Sequence, residues 1–183
     1  YSWISGDRAV YPKSAIYPAG TTAEEESKQA KADMVNSQDK AIVAAVNYLQ
    51  SHPEIMAGTK AAGVERAQLL DSKKIKFKVG ETGGPSGGLV FSIGLVELLT
   101  ESDLMTHRHI AGTGTINERG VVGPIGGINE KISSARKVGA TIFFAPVENA
   151  EEIANVPAGI KVITVATLAQ AISYLERTAT KAG

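Results

Sequence analysis

Apolar residues recur at Ile42, Ala45, Val46 and Leu49 within NSQDKAIVAAVNYLQSHP (residues 36–53), the three- and four-residue spacing of a helix that buries one face. Asn36 or Ser37 is placed to cap that helix, and Pro53 to stop it. Upstream, TTAEEESKQAKADMV (21–35) is charged with little apolar period, which predicts an exposed helix or a mobile segment. Residues 1–21 carry Pro12, Pro18 and Gly20 and read as extended chain and turns. Residues 54–74 show no decisive pattern, whereas KIKFKVG (74–80) alternates charged and apolar positions as a half-buried strand does, ending at Gly80. A second helical stripe, Leu89, Val90, Ile93, Val96 and Leu99, runs on from Ser86. RHIAGTGTI (108–116) and GVVGPIGG (120–127) then read as a hairpin turning at Asn117 to Gly120. The helix INEKISSARKVGA (128–140) follows, with Ile128, Ile132, Ala135 and Val138 inward and Gly139 at its C-cap. The remainder alternates: strand TIFFAP (141–146), a short helix around 148–154, strand IKVITV (160–165) and helix TLAQAISYLERT (167–178). This order predicts an α+β fold of mixed α/β layers, with no internal repeat or heptad pattern.

At 183 residues the chain suits one domain with a substantial core. Nineteen Lys and Arg balance nineteen Asp and Glu, so no net field attracts nucleic acid or an anionic membrane surface, and no nucleic-acid partner is expected. Cysteine is absent, which removes disulfides, thiolate metal sites and a cysteine nucleophile. No apolar run approaches the roughly 20 residues of a membrane span, so the chain as given is expected to be soluble. It begins with Tyr1 rather than Met, as a processed form or a piece of a longer protein would.

Chemistry concentrates at ETGGPSGGLVFSIGLVELL (81–99), where Ser86 stands between two glycine pairs at the head of a helix. A serine there is ordinarily an N-cap. Gly83, Gly84, Gly87 and Gly88, however, strip the turn of side chains, as when another backbone must come close, and aim N–H groups toward one point beside a helix N-terminus. The turn therefore suits an anion or an oxyanion. A nucleophilic serine needs a base. No spacing links His52, His107 or His109 to Ser86, so surface histidines are the preferred reading over a Ser-His-Asp triad. His107 and His109 have no identifiable third ligand, so no metal is expected. Lysine is the remaining base, and it can accept a proton only when neutral, which calls for burial that lowers its ordinary pKa of about 10.4. Lys131 lies beside Ile128, Ile132 and Ala135 in the helix opened by Gly126 and Gly127, although a lone lysine on such a face is ordinarily a solvated boundary residue.

GGPSGGL followed by GVVGPIGGINEKISSARKVGATIFFAP resembles the proteolytic domain of the Lon proteases, whose signature pairs serine in a G-P-S-[AG]-G turn with lysine in P-I-G-G-x-x-E-K. The similarity extends over about residues 36–177. ETGGPSGGL and AGTGTI are nearest to bacterial Lon-like proteins that carry a PDZ domain and an N-terminal membrane anchor in place of an ATPase. The resemblance implies the ribosomal protein S5 domain 2-like fold over residues 36–178, with 1–35 as a segment leading from an upstream domain and 179–183 as a tail. It implies Ser86 as nucleophile, Lys131 as general base and Thr113 as the residue that orients the lysine. Backbone N–H groups of Gly84, Ser86 and Gly87 would form the oxyanion hole, and no cofactor would be required. The implied activity is ATP-independent cleavage of unfolded or flexible polypeptide, rising with pH as the lysine loses its proton. Relatives form hexameric rings, and the implied location is a bacterial, extracytoplasmic membrane surface. Two features depart from the family pattern: Gly87 stands where alanine is commoner, and Gly83 where many ATP-dependent members carry an acid. No G-x-x-x-x-G-K-[ST] stretch is present. The competing readings are a nucleotide-binding enzyme of the same general fold, using the glycine-rich turn as a phosphate cradle, and a non-catalytic binding module.

Overall fold

The computed structural model describes residues 4–5, 8–9, 22–57, 75, 84–100, 102, 104–105 and 108–179. Strands β1 (Ile4–Ser5) and β2 (Arg8–Ala9) form a short antiparallel pair. Helix α1 then runs unbroken over Ala23–Ser51, and the single turn α2 (Pro53–Met56) follows it. The expected helix start at Asn36 or Ser37 is corrected here. A helix begins where its first free N–H groups find acceptors, and Thr22 provides that earlier. The Thr22 hydroxyl accepts from the Glu25 N–H at 3.2 Å, and the Glu25 carboxylate accepts from the Thr22 N–H at 2.9 Å. The bonds that the carboxylate accepts from the Thr22 N–H and, also at 2.9 Å, from the Thr22 hydroxyl hold the Glu25 carboxyl below its ordinary pKa, and Glu24 and Glu26 add negative charge at the positive end of the helix dipole. The charged stretch is thus an exposed helix, continuous with the buried one.

The strand expected over 74–80 lies outside the described residues except for Ile75. Pro85–Gly87 form one 3₁₀ turn that opens helix α3 (Gly88–Thr100). The following elements are β3 (Ile110–Gly112), β4 (Thr115–Ile116), β5 (Val122–Gly123), helix α4 (Ile128–Lys137), β6 (Ile142–Pro146), a 3₁₀ helix over Val147–Glu152, β7 (Lys161–Val165) and helix α5 (Leu168–Ala179). β6 is the middle of a parallel three-stranded sheet in the order β3, β6, β7, with Phe144 opposite Gly112 on one side and Ile163 on the other. β4 and β5 pair antiparallel, Thr115 with Gly123. The single strand expected over 108–116 therefore divides. Its first part joins the parallel sheet, its second the hairpin, and Thr113 and Gly114 lie between them, with the Thr113 N–H still bonded to the Phe144 carbonyl of β6.

Alternation along β6 separates two cores. Phe144 points into the larger one, with Leu49 of α1, Leu89 and Ile93 of α3 and Ile172 of α5. Phe143 and Ala145 point into the smaller one, with Ile128, Ile132 and Ala135 of α4. Helices thus cover both faces of the sheet in an α+β arrangement. Among the described residues no helix is long and apolar enough to cross a membrane.

Candidate active site

Ser86 is the middle residue of the 3₁₀ turn, and Lys131 lies in the first turns of α4. They are 45 residues apart in sequence and on elements that do not pair, yet Lys131 Nζ donates to Ser86 Oγ at 3.2 Å. Both side chains are half-buried. They face a cleft of about 540 Å³ that Met34, Val90, Phe91, Ala111, Ala135 and Phe143 line with apolar surface, with Thr113, Glu130 and Ser134 as its further polar side chains.

Backbone bonds fix the serine from three sides. The Ser86 carbonyl accepts from the Gly114 N–H at 2.8 Å and from the Thr113 hydroxyl at 3.0 Å. The preceding Pro85 carbonyl accepts from the buried Ser37 hydroxyl at 3.0 Å. The Gly84 N–H donates to the Ala30 carbonyl of α1 at 2.9 Å. One expectation changes accordingly and one is extended. Thr113, 4% exposed, borders the cleft, and its hydroxyl donates to the carbonyl of Ser86; it holds the turn of Ser86 and keeps its lone pairs to accept from a donor in the cleft. Gly84 is removed from the expected oxyanion donors, because its only N–H is already bonded to α1. The N–H groups of Ser86 and Gly87 are given to no other element among the described residues.

Gly87 answers the departure from the family pattern. A Cβ built there would lie 2.9 Å from Phe91 Cε2, so the phenyl ring occupies the space that alanine would fill. Gly83 and His107 lie outside the described residues, and neither His52 nor His109 lines the cleft. Among the described residues no group of three or more His, Asp or Glu side chains is arranged to hold a metal ion. Sequence reasoning missed Ser37 and Ala30, which hold the turn from α1. Ala30 acts through its carbonyl, which carries no side-chain signal, and Ser37 resembled a helix cap.

Comparison with known proteins shows the family of the chain. Residues 27–179 match the family model of the Lon protease (S16) C-terminal proteolytic domain. The chain is 38% identical over 78 residues to a Lon protease of Heliobacterium modesticaldum, covering 43% of this chain and 9% of that protein. It is 35% identical over 95 residues to a Lon protease of Rickettsia felis, covering 50% and 12%, and 32% identical over 114 residues to one of Rhizobium meliloti, covering 58% and 14%. The chain thus matches only a small part of each of these longer bacterial proteins. With five-sixths of its length inside the family model and the two signature motifs meeting in one cleft, the chain belongs to the Lon protease (S16) proteolytic-domain family, a family of serine peptidases.

Proposed function

We propose that this chain is a serine endopeptidase in which Ser86 attacks a peptide carbonyl and Lys131 is the general base. The 3.2 Å contact between Lys131 Nζ and Ser86 Oγ is the observation that supports this reading. With the amine uncharged, the serine proton passes to Nζ as Oγ adds to the carbonyl carbon. The resulting ammonium then protonates the departing amine, leaving an ester on Ser86, and water activated by the same amine releases the acid. The Ser86 and Gly87 N–H groups stand at the helix head where an oxyanion forms, and such donors are worth about 3 kcal/mol each to the transition state. The cleft's apolar wall suits an apolar substrate side chain beside the scissile bond.

By the resemblance of ETGGPSGGL and AGTGTI to Lon-like proteins that carry a PDZ domain in place of an ATPase, the proposed reaction proceeds without ATP on polypeptide that is already unfolded or flexible. By the same resemblance, residues 36–178 form the body of the catalytic unit, to which the preceding turns of α1 add Ala30 on the Gly84 N–H and Met34 at the cleft, and the functional setting is a self-associated ring near a membrane. Degradation of a permanently unfolded polypeptide by the wild type, Ser86→Ala and Lys131→Ala tests the core of this reading. Each substitution is expected to lower turnover by on the order of 10³-fold or more. Equal turnover by all three would refute it.

A further inference from the structure

Helix α4 carries Lys131 but starts without a side-chain cap. Its N-cap is Gly127, in the left-handed region at φ 69°, a conformation open to glycine but costly to other residues. Pro124, Gly126 and Gly127 before it are exposed, and between them Ile125 rests its side chain on the smaller core, which leaves the loop's backbone to be fixed by hydrogen bonds. The missing constraint comes from Asn149, in the 3₁₀ helix that extends β6.

The Asn149 side chain is fully buried. Its Oδ1 accepts from the Ile125 N–H at 3.0 Å and its Nδ2 donates to the Ile125 carbonyl at 2.9 Å, so one amide imitates a neighbouring strand. The second Nδ2 hydrogen goes to Glu152 Oε1 at 2.9 Å. A buried amide is unfavourable unless its groups are bonded, and with both ends engaged it admits one placement of its partner. Asn129 repeats the device one turn on, donating to the Glu152 carbonyl at 2.8 Å and accepting from the Ala154 N–H at 2.9 Å. The serine side refers to the same strand, since the Thr113 N–H donates to the Phe144 carbonyl of β6 at 2.9 Å and Thr113 holds Ser86.

We propose that Asn149 is a positioning residue, clamping Ile125 so that β6 sets the separation of Lys131 from Ser86. The proposal rests on the Ser86 and Lys131 reading above. A misplacement of about 1 Å between reacting groups costs roughly 10²-fold in rate, so loosening this clamp should act on the chemical step and not on substrate binding.

The test measures kcat and KM on an unfolded polypeptide for Asn149→Ala, Asn129→Ala and Ile160→Ala, well below each thermal midpoint. Ile160 belongs to the same small core but bonds to no part of the loop through its side chain, and it controls for general destabilisation. Asn149→Ala is expected to lower kcat by about 10- to 100-fold with KM little changed, while Ile160→Ala keeps kcat near wild type. Should Asn149→Ala fail to fold, Asn129→Ala carries the test, with a smaller loss in kcat expected. Wild-type kcat in the asparagine variants, or the same loss in Ile160→Ala, would overturn the inference. Lys131→Ala separates the two claims. If it retains wild-type turnover the dyad itself fails, whereas if it is inactive while Asn149→Ala keeps full kcat only the clamp fails.

Discussion

Gly87 sits under the Phe91 ring, whose Cε2 would be 2.9 Å from an added Cβ. The ring is the far end of a rotatable side chain, so Gly87→Ala should fold and push the ring into the cleft that both residues line. The expected result is a several-fold rise in KM for substrates with bulky apolar side chains, kcat and thermal midpoint staying near wild type; an unchanged KM would show that Phe91 does not border the occupied part of the cleft. Thr113→Val keeps the shape but deletes the hydroxyl that donates to the Ser86 carbonyl. The Gly114 N–H remains on that carbonyl at 2.8 Å, so the loss should be limited to about 1 kcal/mol of stability, measured by denaturant unfolding. At this scale Ser86 and Lys131 stood out by their glycine-rich and apolar settings, yet each had an ordinary reading, a helix cap and a solvated boundary lysine, and it was the resemblance that paired them and added Thr113. The spent Gly84 N–H was not, because the residue that occupies it, Ala30, contributes a peptide carbonyl that every residue possesses. Asn149 was hidden for a different reason: its partner is the backbone of Ile125, 24 residues away.

Helix α1 shows how an element can be half legible. Its buried half, with Ala41, Ala45, Val46 and Leu49 essentially inaccessible, declared itself by spacing. Its exposed half had no such stripe and was held open as helix or mobile segment, whereas a reciprocal Thr22 and Glu25 cap makes it helix. The two halves should respond differently. Thr22→Ala is expected to cost about 1 kcal/mol or less and to show mainly as faster proteolytic nicking in the outer turns, with a midpoint shift of at most about 2–4 °C. Leu49→Ala, which opens a void in the larger core, is expected to cost about 2–5 kcal/mol by denaturant unfolding. The division of residues 108–116 between sheet and hairpin was invisible because the break follows from the needs of a distant carbonyl. Thr113 keeps its N–H on β6 while its hydroxyl, with the Gly114 N–H, goes to the Ser86 carbonyl.

For the whole molecule, alternation of apolar strands and amphipathic helices after residue 108 was enough to indicate α+β layers, and the parallel sheet with helices on both faces follows from it. What pattern could not supply was the convergence of α1, the 3₁₀ turn, β3 and α4 on one cleft. The proposed activity has a consequence at this scale: an unfolded polypeptide should be degraded at the same rate with and without ATP, while a stably folded protein should persist, as read by gel over time. Acceleration by ATP would contradict it. The bond from Gly84 to Ala30 has a further consequence, because Ala30 lies in the outer, solvent-facing half of α1 and the same helix continues into the core. The outer turns are therefore a handle on the proposed nucleophile: a neighbour that grips or bends them would pull directly on the turn that carries Ser86. The Gly84 amide would register such a pull through faster deuterium uptake, even in a protein with no serine at position 86.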